Sequence, residues 1–309
     1  MAEALRGGRA RVDRPRFTII TSSLDQAPFL IETIHSVRDQ RRDDVEHIVL
    51  DGGSTDESVE VLRAHDESLA YWESAPDDGQ AAVWNAGVRR ARGDIIAFLN
   101  SDDLLLPGAL DEMERLAAAQ SQAEWLVGGT RYFGEMAPAL VYPGVPQRSA
   151  AEVLFFASYA PQPGHFFRRS VFARVGEFDE TLHYAFDHEF FVRCALAAVP
   201  SAATPAIVAG FRFHGASKSV TQRERQMRET LEVEWRHWPE VLRREGRHAQ
   251  AIRADRKGHL ALEASRDALV AGHRGRGWRL LARAVSEYPS MLRTRAFLGT
   301  VQRLMGFRR

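Results

Sequence analysis

Short apolar segments alternate with acidic loops and helical patterns along the N-terminal part of the chain. Residues 17–20, 46–50 and 94–99 are apolar and β-prone, and the pattern predicts buried strands. Strands that alternate with helices predict right-handed βαβ crossovers and a mostly parallel central sheet, so the fold class is α/β. In such sheets ligands bind beyond the carboxyl ends of the strands, where acids distant in sequence meet in one crevice. The acids that follow these strands are Asp25, Asp51, Asp102 and Asp103.

The length of 309 residues suits one large α/β domain with an appendage. Residues 1–15 are basic and contain no apolar stretch, so we expect a disordered tail there rather than a secretory signal. The α/β domain is predicted over 16–220, and it divides into 16–123 and an α+β half, 124–220, that covers the crevice. Residues 221–309 are highly charged and helical in pattern, which predicts a helical C-terminal region.

Composition argues against several classes of protein. The formal net charge is zero, which disfavours a dedicated nucleic-acid binder. Cys194 is the single cysteine, so no disulfide framework can form within the chain, which suits a reducing compartment. No apolar run reaches membrane-spanning length, and we expect a cytoplasmic protein or one attached to a membrane surface. The sequence also lacks a glycine-rich dinucleotide loop, a Walker phosphate loop and a G-x-S-x-G nucleophile elbow.

Asp102 and Asp103 are adjacent carboxylates at the end of a predicted strand. Two such charges repel unless a cation lies nearby, and hard divalent cations bind carboxylates together with substrate phosphates. The same acids could instead cap the helix that starts after Pro107. Asp51 also has two interpretations, since Asp-Gly-Gly-Ser is a good turn and a carboxylate at a strand end can bind a uracil or ribose group.

Asp187 and Glu189 lie among large aromatic residues in the second half of the domain. A carboxylate at the edge of an apolar pocket has a raised pKa and becomes a better base near neutral pH. The alternative is the first turn of a helix, where the helix dipole favours acids. His214 could be a metal ligand or a diphosphate contact, with Lys218 as a phosphate partner, or it could be merely structural.

These motifs, in this order, resemble the inverting family-2 glycosyltransferases, which have the GT-A fold. The resemblance covers roughly residues 16–219, and each motif is weak alone whereas the ordered set is specific. On the donor side, TSSLDQ at 21–26 matches the donor-binding first loop, DGGSTD at 51–56 matches the nucleotide turn, and NSDD at 100–103 occupies the D-x-D position. The middle segment of the family is matched by DGQ at 78–80, NAG at 85–87 and ARGD at 91–94. On the acceptor side, the matching segments are GEFD at 176–179 and DHE at 187–189.

Two positions depart from the family pattern. Asn100 stands where a strict D-x-D motif has its first Asp, so the resemblance leaves metal binding to Asp102 and Asp103. Gly52 stands where the nucleotide turn often has a second Asp, so only Asp51 can be carried over there.

The resemblance implies a nucleotide-sugar half, 16–123, and an acceptor half, 124–220. It implies inverting transfer from a nucleotide-diphosphate sugar, by default a UDP-sugar, to a sugar or lipid-linked saccharide in polysaccharide or glycoconjugate biosynthesis. Asp187 is then the general base, with Glu189 as the second choice. The ligands of a Mn²⁺ or Mg²⁺ cofactor would be Asp102, Asp103 and His214. The residues expected to bind the nucleotide sugar are Thr21, Ser22, Ser23, Asp25, Asp51, Gln80, Asn85, Arg89 and Asp102.

Two other functions stay open from the sequence. A protein with this fold could bind nucleotide sugars or carbohydrates without catalysis. A nucleotidyltransferase is also an α/β nucleotide-binding protein with acidic metal ligands, but residues 21–25 contain neither glycine nor a basic residue. The arginine-rich residues 258–309 could form a solvated helical face or make peripheral contact with an anionic membrane.

Overall fold

The chain divides into two compact units in the computed structural model. The first unit comprises Met1–Ser149 and Ala157–Arg236, and the second comprises Ala150–Phe156 and His237–Arg309. The residues that the structure describes are 4–10, 12–137, 140–147, 149–156, 161–217 and 221–287. Lys218 and residues 288–309, with the last of the C-terminal arginines, lie outside the described residues.

A mixed sheet runs through the first unit. Its strands are β1 (Leu5–Gly7), β2 (Phe17–Ser23), β3 (Val45–Asp51), β4 (Tyr71–Ser74), β5 (Ile95–Phe98), β6 (Leu104–Leu105), β7 (Trp125–Phe133), β8 (Val141–Tyr142), β9 (His165–Arg168) and β10 (Ser201–Arg212). The helices of the chain are α1 (Ala27–Arg38), α2 (Ser58–Ala64), α3 (Gln80–Arg90), α4 (Ala109–Ala119), α5 (Ala150–Phe156), α6 (Ser170–Val175), α7 (Phe186–Leu196), α8 (Arg223–Glu245), α9 (Arg247–Val270) and α10 (Arg274–Glu287). The strand order is β1-β4-β3-β2-β5-β9-β7-β10-β6, with β8 beside β7.

The strands β4, β3, β2 and β5 are parallel neighbours, which confirms the predicted βαβ half of the sheet. Nearly all of β2 and all of β5 are buried, as expected for parallel strands that are covered on both faces. Helix α1 has a proline in its first turn and buries Leu30, Ile34 and Val37, which recur at helical spacing. Because these strands run the same way, their carboxyl ends lie at one edge of the sheet.

The other half of the sheet is mixed. Strand β9 lies between β5 and β7 and is antiparallel to both, whereas β7 and β10 are parallel to each other. The two-residue strand β6 pairs with β10 in the antiparallel sense. The expected parallel arrangement therefore describes the half that carries the nucleotide-turn motif, and the sheet changes direction at β9.

The N-terminal tail differs from the expectation of disorder over residues 1–15. Leu5–Gly7 forms β1, which pairs with β4 in the antiparallel sense. The backbone N–H of Gly8 then donates to the carboxylate of Asp66. This edge strand is held by backbone pairing and buries little side-chain surface, so hydrophobic patterning gives no signal for it.

The second unit is helical over its described residues, 150–156 and 237–287. Its helices α9 and α10 share a small apolar core of Leu262, Leu281 and Ala284. The predicted C-terminal helices are therefore present, although α8 belongs to the first unit as far as Arg236. Over the described ranges, none of the helices combines the length and apolar character that a membrane span requires.

Candidate active site

The carboxyl ends of β2, β3 and β5 meet at one edge of the sheet. The backbone N–H of Ser101 donates to the Ser22 carbonyl (3.1 Å), and the N–H of Gly52 donates to the Ser23 carbonyl (2.9 Å). The loops that follow these strands are therefore held side by side although they are distant in sequence. This confirms the convergence that the alternation of strands and helices predicts.

Ser22, Gln80 and Asn100 form a polar cluster at this edge, here called the cleft cluster. The Gln80 side-chain amide donates to Asn100 Oδ1 (2.6 Å) and to the Ser22 hydroxyl (3.1 Å). Trp84, four residues after Gln80 and on the same face of α3, donates its indole N–H to the Ser22 hydroxyl (3.1 Å). The structure thus brings together two predicted donor-binding residues, Ser22 and Gln80. It adds Asn100 and Trp84, to which the sequence assigns no donor role.

The adjacent carboxylates of Asp102 and Asp103 have different surroundings. Asp103 is 1% exposed, and its carboxylate accepts hydrogen bonds from the Arg212 backbone N–H (2.9 Å) and the Asn100 amide (3.3 Å). Burial and the neighbouring Asp102 charge raise the pKa of Asp103 well above its ordinary value. The Asp102 carboxylate instead contacts His214 Nε2 at 3.0 Å. The structure therefore joins two of the three predicted metal ligands and gives the third a buried structural position.

The helix-cap interpretation of this acidic pair is wrong. Helix α4 begins at Ala109, and the residue that precedes it is Gly108, with a left-handed φ of 76°. Arg212 lies beside both acids instead, because its side-chain Nε also donates to the Asp102 main-chain carbonyl (2.8 Å). The two acids are thus accommodated by partners from the end of β10 and not by a helix terminus.

The Asp102–His214 pair has the chemistry of a partial metal site. Two adjacent ligands of an octahedral ion at about 2.1 Å lie about 3.0 Å apart, and Asp102 Oδ2 and His214 Nε2 are separated by 3.0 Å. Asp103 is buried, and each of its carboxylate oxygens accepts one hydrogen bond, from the Arg212 N–H and the Asn100 amide. Within the described ranges, His, Cys, Asp and Glu side chains form no group of three that could hold a metal ion. A cation at this pair would therefore take its remaining ligands from a diphosphate and water.

Asp51 and Asp25, two acids of the predicted nucleotide site, accept the hydrogen bonds that hold the turn after β3. The Asp51 carboxylate accepts hydrogen bonds from turn N–H groups, including that of Ser54 (2.9 Å), and from the hydroxyl of Ser74 (2.7 Å). Asp25 has a φ of 51° and accepts from the Thr55 N–H (2.7 Å), which joins the loop after β2 to this turn. The structure places both acids at the predicted edge, but it supports the turn interpretation of Asp51, because both of its oxygens are engaged by the protein.

Thr21 and Ser23 lie within β2, which continues beyond the strand predicted over 17–20. Thr21 Oγ1 contacts His47 Nε2 (3.0 Å), and burial lowers the pKa of His47 to about 3, so this pair belongs to the interior. The buried Ser23 hydroxyl has no hydrogen-bond partner among the described residues. Because side chains alternate along a strand, Ser22 alone of these residues joins the cleft cluster. The structure therefore does not bring Thr21 and Ser23 into the donor site.

Asn85 and Arg89, predicted to contact the donor sugar, instead hold residues 176–185, here called the acceptor loop. The Asn85 side chain accepts from the Phe178 N–H (2.8 Å) and donates to the Phe178 carbonyl (3.0 Å). Arg89 forms an ion pair with Glu177. Both residues therefore connect α3 to the acceptor loop, and their predicted contact with the donor sugar stays a prediction.

Asn85→Ala is expected to lower stability rather than donor affinity. The change removes the partner of the Phe178 N–H and carbonyl in a buried setting, which costs about 1–3 kcal/mol. Thermal unfolding should therefore show a lower Tm, while calorimetry should give a Kd for UDP within about twofold of the wild-type value. A large loss of UDP affinity with an unchanged Tm would instead support the predicted contact between Asn85 and the donor.

Asp187 is the second residue of α7 and directly follows Phe186, whose ring contacts Trp84. Phe186, which begins α7, packs edge-on against Trp84 with ring centroids 5.0 Å apart, and Trp84 in turn donates to Ser22. Burial raises the pKa of Asp187 to about 6, in line with its aromatic surroundings in the sequence. Its carboxylate accepts a hydrogen bond from the His188 backbone N–H (2.7 Å). A carboxylate with a raised pKa thus directly follows the aromatic residue that contacts Trp84.

Glu189 is engaged away from this position. Its buried carboxylate forms an ion pair through both oxygens with Arg193 (2.8 and 3.0 Å), one turn further along α7. Arg193 also donates to the carbonyls of Val175 and Glu177. The structure therefore favours Asp187 over Glu189 as the candidate base, because the Glu189 carboxylate is paired with an arginine.

Two residues that the sequence analysis does not single out also lie at this edge. A Cβ added at Gly52 would come within 2.5 Å of Asp77 Oδ2, so the Asp77 carboxylate lies in the space beside the nucleotide turn. In the acceptor loop, His183 lies against Gly79, where an added Cβ would be 3.3 Å from His183 Nδ1. The acidic Asp77-Asp78-Gly79 motif could have indicated the first residue, whereas no local pattern marks His183.

Comparison with known proteins identifies the family. Residues 18–176, more than half of the chain, match the family described as Glycosyl transferase family 2. An uncharacterized glycosyltransferase of Mycobacterium tuberculosis is 35% identical over 190 residues, which cover 60% of this chain and 71% of that protein. The chain belongs to glycosyl transferase family 2 and is a glycosyltransferase by class.

Solved structures share the fold. TarS of S. aureus has a TM-score of 0.60 at 16% identity, and the match covers 79% of this chain and 43% of TarS. TarS 1-349 in complex with UDP-GlcNAc has a TM-score of 0.55 at 14% identity, with 89% and 92% of the two chains covered. The mannosyltransferase PcManGT of Pyrobaculum calidifontis, in complex with GDP-Man and Mn²⁺, has a TM-score of 0.54 at 17% identity, with 96% and 81% covered. The predicted GT-A fold is confirmed.

Proposed function

We propose that this glycosyltransferase moves a sugar from a UDP-sugar to an acceptor hydroxyl with inversion, and that Asp187 is the general base. The observation that supports this most is a continuous set of contacts from the residue beside Asp102 to the residue beside Asp187. The contacts are, in order, Asp103–Asn100 (3.3 Å), Asn100–Gln80 (2.6 Å), Gln80–Ser22 (3.1 Å), Ser22–Trp84 (3.1 Å) and the Trp84–Phe186 ring pair (5.0 Å).

Asp187 accepts the proton of the acceptor hydroxyl while the hydroxyl oxygen attacks the anomeric carbon of the donor sugar. Its pKa of about 6 leaves the carboxylate ionised at neutral pH and makes it a stronger base than an exposed aspartate. The leaving nucleoside diphosphate departs from the opposite face, so the anomeric configuration inverts. The amide and hydroxyl groups of the cleft cluster offer hydrogen bonds to the donor.

Asp102 and His214 are the protein ligands that we assign to a divalent cation, Mn²⁺ or Mg²⁺. When bound, this cation neutralises the negative charge that develops on the diphosphate leaving group. The 3.0 Å separation of one oxygen and one nitrogen donor fits such an ion, and the similar structure of PcManGT contains Mn²⁺. Asp103 stabilises this pair indirectly. Its carboxylate binds the backbone N–H of Arg212, and the Arg212 side chain donates to the main-chain carbonyl of Asp102.

The donor and acceptor are assigned by class. UDP is the proposed nucleotide because TarS 1-349, a similar structure, binds UDP-GlcNAc. The proposed acceptor is a sugar or a lipid-linked saccharide, bound beside the acceptor loop. The proposal also retains the division into halves 16–123 and 124–220 and a cytoplasmic location, and it leaves both alternatives for the basic C-terminus, a solvated helical face and peripheral membrane contact.

A panel of sugar nucleotides tests this function. The full chain would be mixed with UDP-glucose, UDP-galactose, UDP-GlcNAc, GDP-mannose or dTDP-rhamnose, each with Mn²⁺, to measure the Tm and the release of nucleoside diphosphate. We expect a UDP-sugar to raise the Tm most and to release UDP. Binding without release, also with saccharide acceptors present, would favour the non-catalytic alternative. Pyrophosphate release from UTP and a sugar 1-phosphate would favour a nucleotidyltransferase.

The rate should depend on pH through the ionisation of Asp187. Because the base acts in its ionised form, kcat should fall about tenfold for each pH unit below the pKa, which is about 6, and should level off above it. Initial rates of UDP release across the acidic and neutral range would show this limb, with circular dichroism to confirm that the protein stays folded. A flat profile through pH 6 in folded protein would contradict Asp187 as the base.

A further inference from the structure

Glu229, in the first unit, connects α8 to the segment that carries the proposed base. Its carboxylate accepts hydrogen bonds from three consecutive backbone N–H groups, those of His183 (3.0 and 3.1 Å), Tyr184 (2.6 Å) and Ala185 (2.9 Å). Ala185 immediately precedes α7. One side chain from a distant helix therefore fixes the last three residues of the acceptor loop.

The start of α7 needs such a partner. The first N–H groups at a helix N-terminus have no acceptor within the helix, and the methyl side chain of Ala185 cannot supply one. A carboxylate supplies it with charge-assisted hydrogen bonds, which are roughly twice as strong as neutral ones. Its negative charge is also favourable beside a helix N-terminus. Glu229 therefore supplies an acceptor for the N–H of Ala185, the residue that precedes α7, and for the two N–H groups before it, whereas the His188 N–H inside the helix donates to Asp187.

The segment that Glu229 holds lies next to the proposed base in sequence and against Gly79 in space. Asp187 follows the clamped segment by two residues, at the start of α7. His183, whose N–H is clamped, lies against Gly79, next to Gln80 of the cleft cluster. A second link between α8 and the loop is the ion pair of Arg236 with Asp179. The loop is therefore fixed by α8 at its end, while α3 holds its beginning through Asn85.

We propose that Glu229 is a positioning residue. It acts through the backbone of residues 183–185 and holds the Asp187 carboxylate within hydrogen-bond reach of the acceptor hydroxyl. The inference rests on the proposed function, since it gives Glu229 a role through the general base. Glu229 makes its contacts with main-chain groups of the loop, so its loss should impair turnover rather than donor binding. A displacement of about 1 Å at a reacting group can cost about 100-fold in rate.

Glu229→Ala and Glu229→Gln test this role in the full chain, with Glu224→Ala as the matched control. Glu224 lies on the same helix, is 92% exposed and contacts Arg228 at 3.6 Å. Hydrogen exchange would be measured over residues 183–187, together with nucleotide release from the five sugar nucleotides named above. We expect faster exchange in Glu229→Ala, a kcat lower by about 10- to 100-fold and a donor KM within about twofold. Glu229→Gln keeps an acceptor oxygen and should lie between this variant and the wild type.

A double-mutant comparison separates positioning from general loss of structure. If Glu229 acts through Asp187, then Glu229→Ala should reduce the residual rate of an Asp187→Asn protein by less than about twofold. Wild-type kcat and unchanged exchange in Glu229→Gln and Glu229→Ala would overturn the inference, as would a full additional loss in the Asp187→Asn background. If the wild-type protein releases no nucleotide from any donor, the proposed function itself fails, and the exchange data then report only a structural clamp.

Discussion

Asp187→Asn is expected to lower kcat by about 10²–10⁴-fold while the Kd for UDP stays within about twofold of the wild-type value. Asparagine has nearly the same size but cannot take a proton from the acceptor hydroxyl. The change leaves Phe186 and its ring contact with Trp84 in place, so this aromatic packing should survive. The measurement is nucleotide release under saturating donor, combined with calorimetry of UDP binding.

Glu177→Gln is the matched control for this variant. It removes a carboxylate from the same acceptor loop, but Glu177 is 40% exposed on its side chain and pairs with Arg89. We expect a kcat within about twofold of the wild-type value, because an exposed ion pair contributes little to structure. Equal activity of Asp187→Asn and the wild type would reject Asp187 as the base, and an equal loss in both variants would indicate a general effect of the loop.

The same Asp187→Asn variant should be more stable than the wild type at neutral pH. Burial raises the pKa of Asp187 from 3.8 to about 6, so the ionised carboxylate destabilises the folded state. Each pKa unit corresponds to 1.36 kcal/mol, and we expect a gain of about 1–3 kcal/mol for the neutral amide. The penalty in the wild type is absent below the unfolded-state pKa, develops as the pH rises, and is complete above about 6. The difference in Tm should therefore be largest at neutral pH and shrink as the pH falls through 6 toward the unfolded-state pKa. A less stable variant at neutral pH would contradict this account.

Asp102→Ala is expected to abolish the part of UDP binding that depends on Mn²⁺. The structure pairs Asp102 with His214 at 3.0 Å, so the loss of either side chain leaves one protein ligand. With Mn²⁺ present, the Kd for UDP should rise by about tenfold or more and reach the value measured with a chelator. His214→Ala should have the same effect, and calorimetry with and without Mn²⁺ would measure both.

Asp103→Asn is the control that tests whether the motif or the structure identifies the metal ligands correctly. The D-x-D resemblance gives both acids a metal role, whereas Asp103 is buried and bonded to the Arg212 N–H and the Asn100 amide. We expect the asparagine variant to keep its response to Mn²⁺. If Asp103→Asn loses that response while Asp102→Ala keeps it, the assignment of the ligand pair is reversed.

The location of the site could be predicted from local patterns in the sequence. Apolar strands that alternate with helices place the ends of β2, β3 and β5 at one edge, and the hydrogen bond from Ser101 to Ser22 confirms it. The aromatic neighbours of Asp187 similarly indicated a carboxylate with a raised pKa. These inferences succeed because helix and strand periods, turn residues and the direction of crossovers are fixed by short-range chemistry. The edge strand β1 and the antiparallel strand β9 depend on backbone pairing between distant segments, which such patterns do not reveal.

Only the tertiary structure decided which polar groups are available to a ligand. The Asp103 carboxylate, for example, accepts a hydrogen bond from the backbone of Arg212, 109 residues away. Asn85 binds the backbone of a loop 93 residues away, and Glu229 accepts a hydrogen bond from the residue that precedes α7, 44 positions earlier. The sequence determined where acids would gather, because strand ends are set locally. The packing determined the partners of Asp103, Asn85 and Glu229, because their hydrogen bonds join segments that only the folded chain brings together.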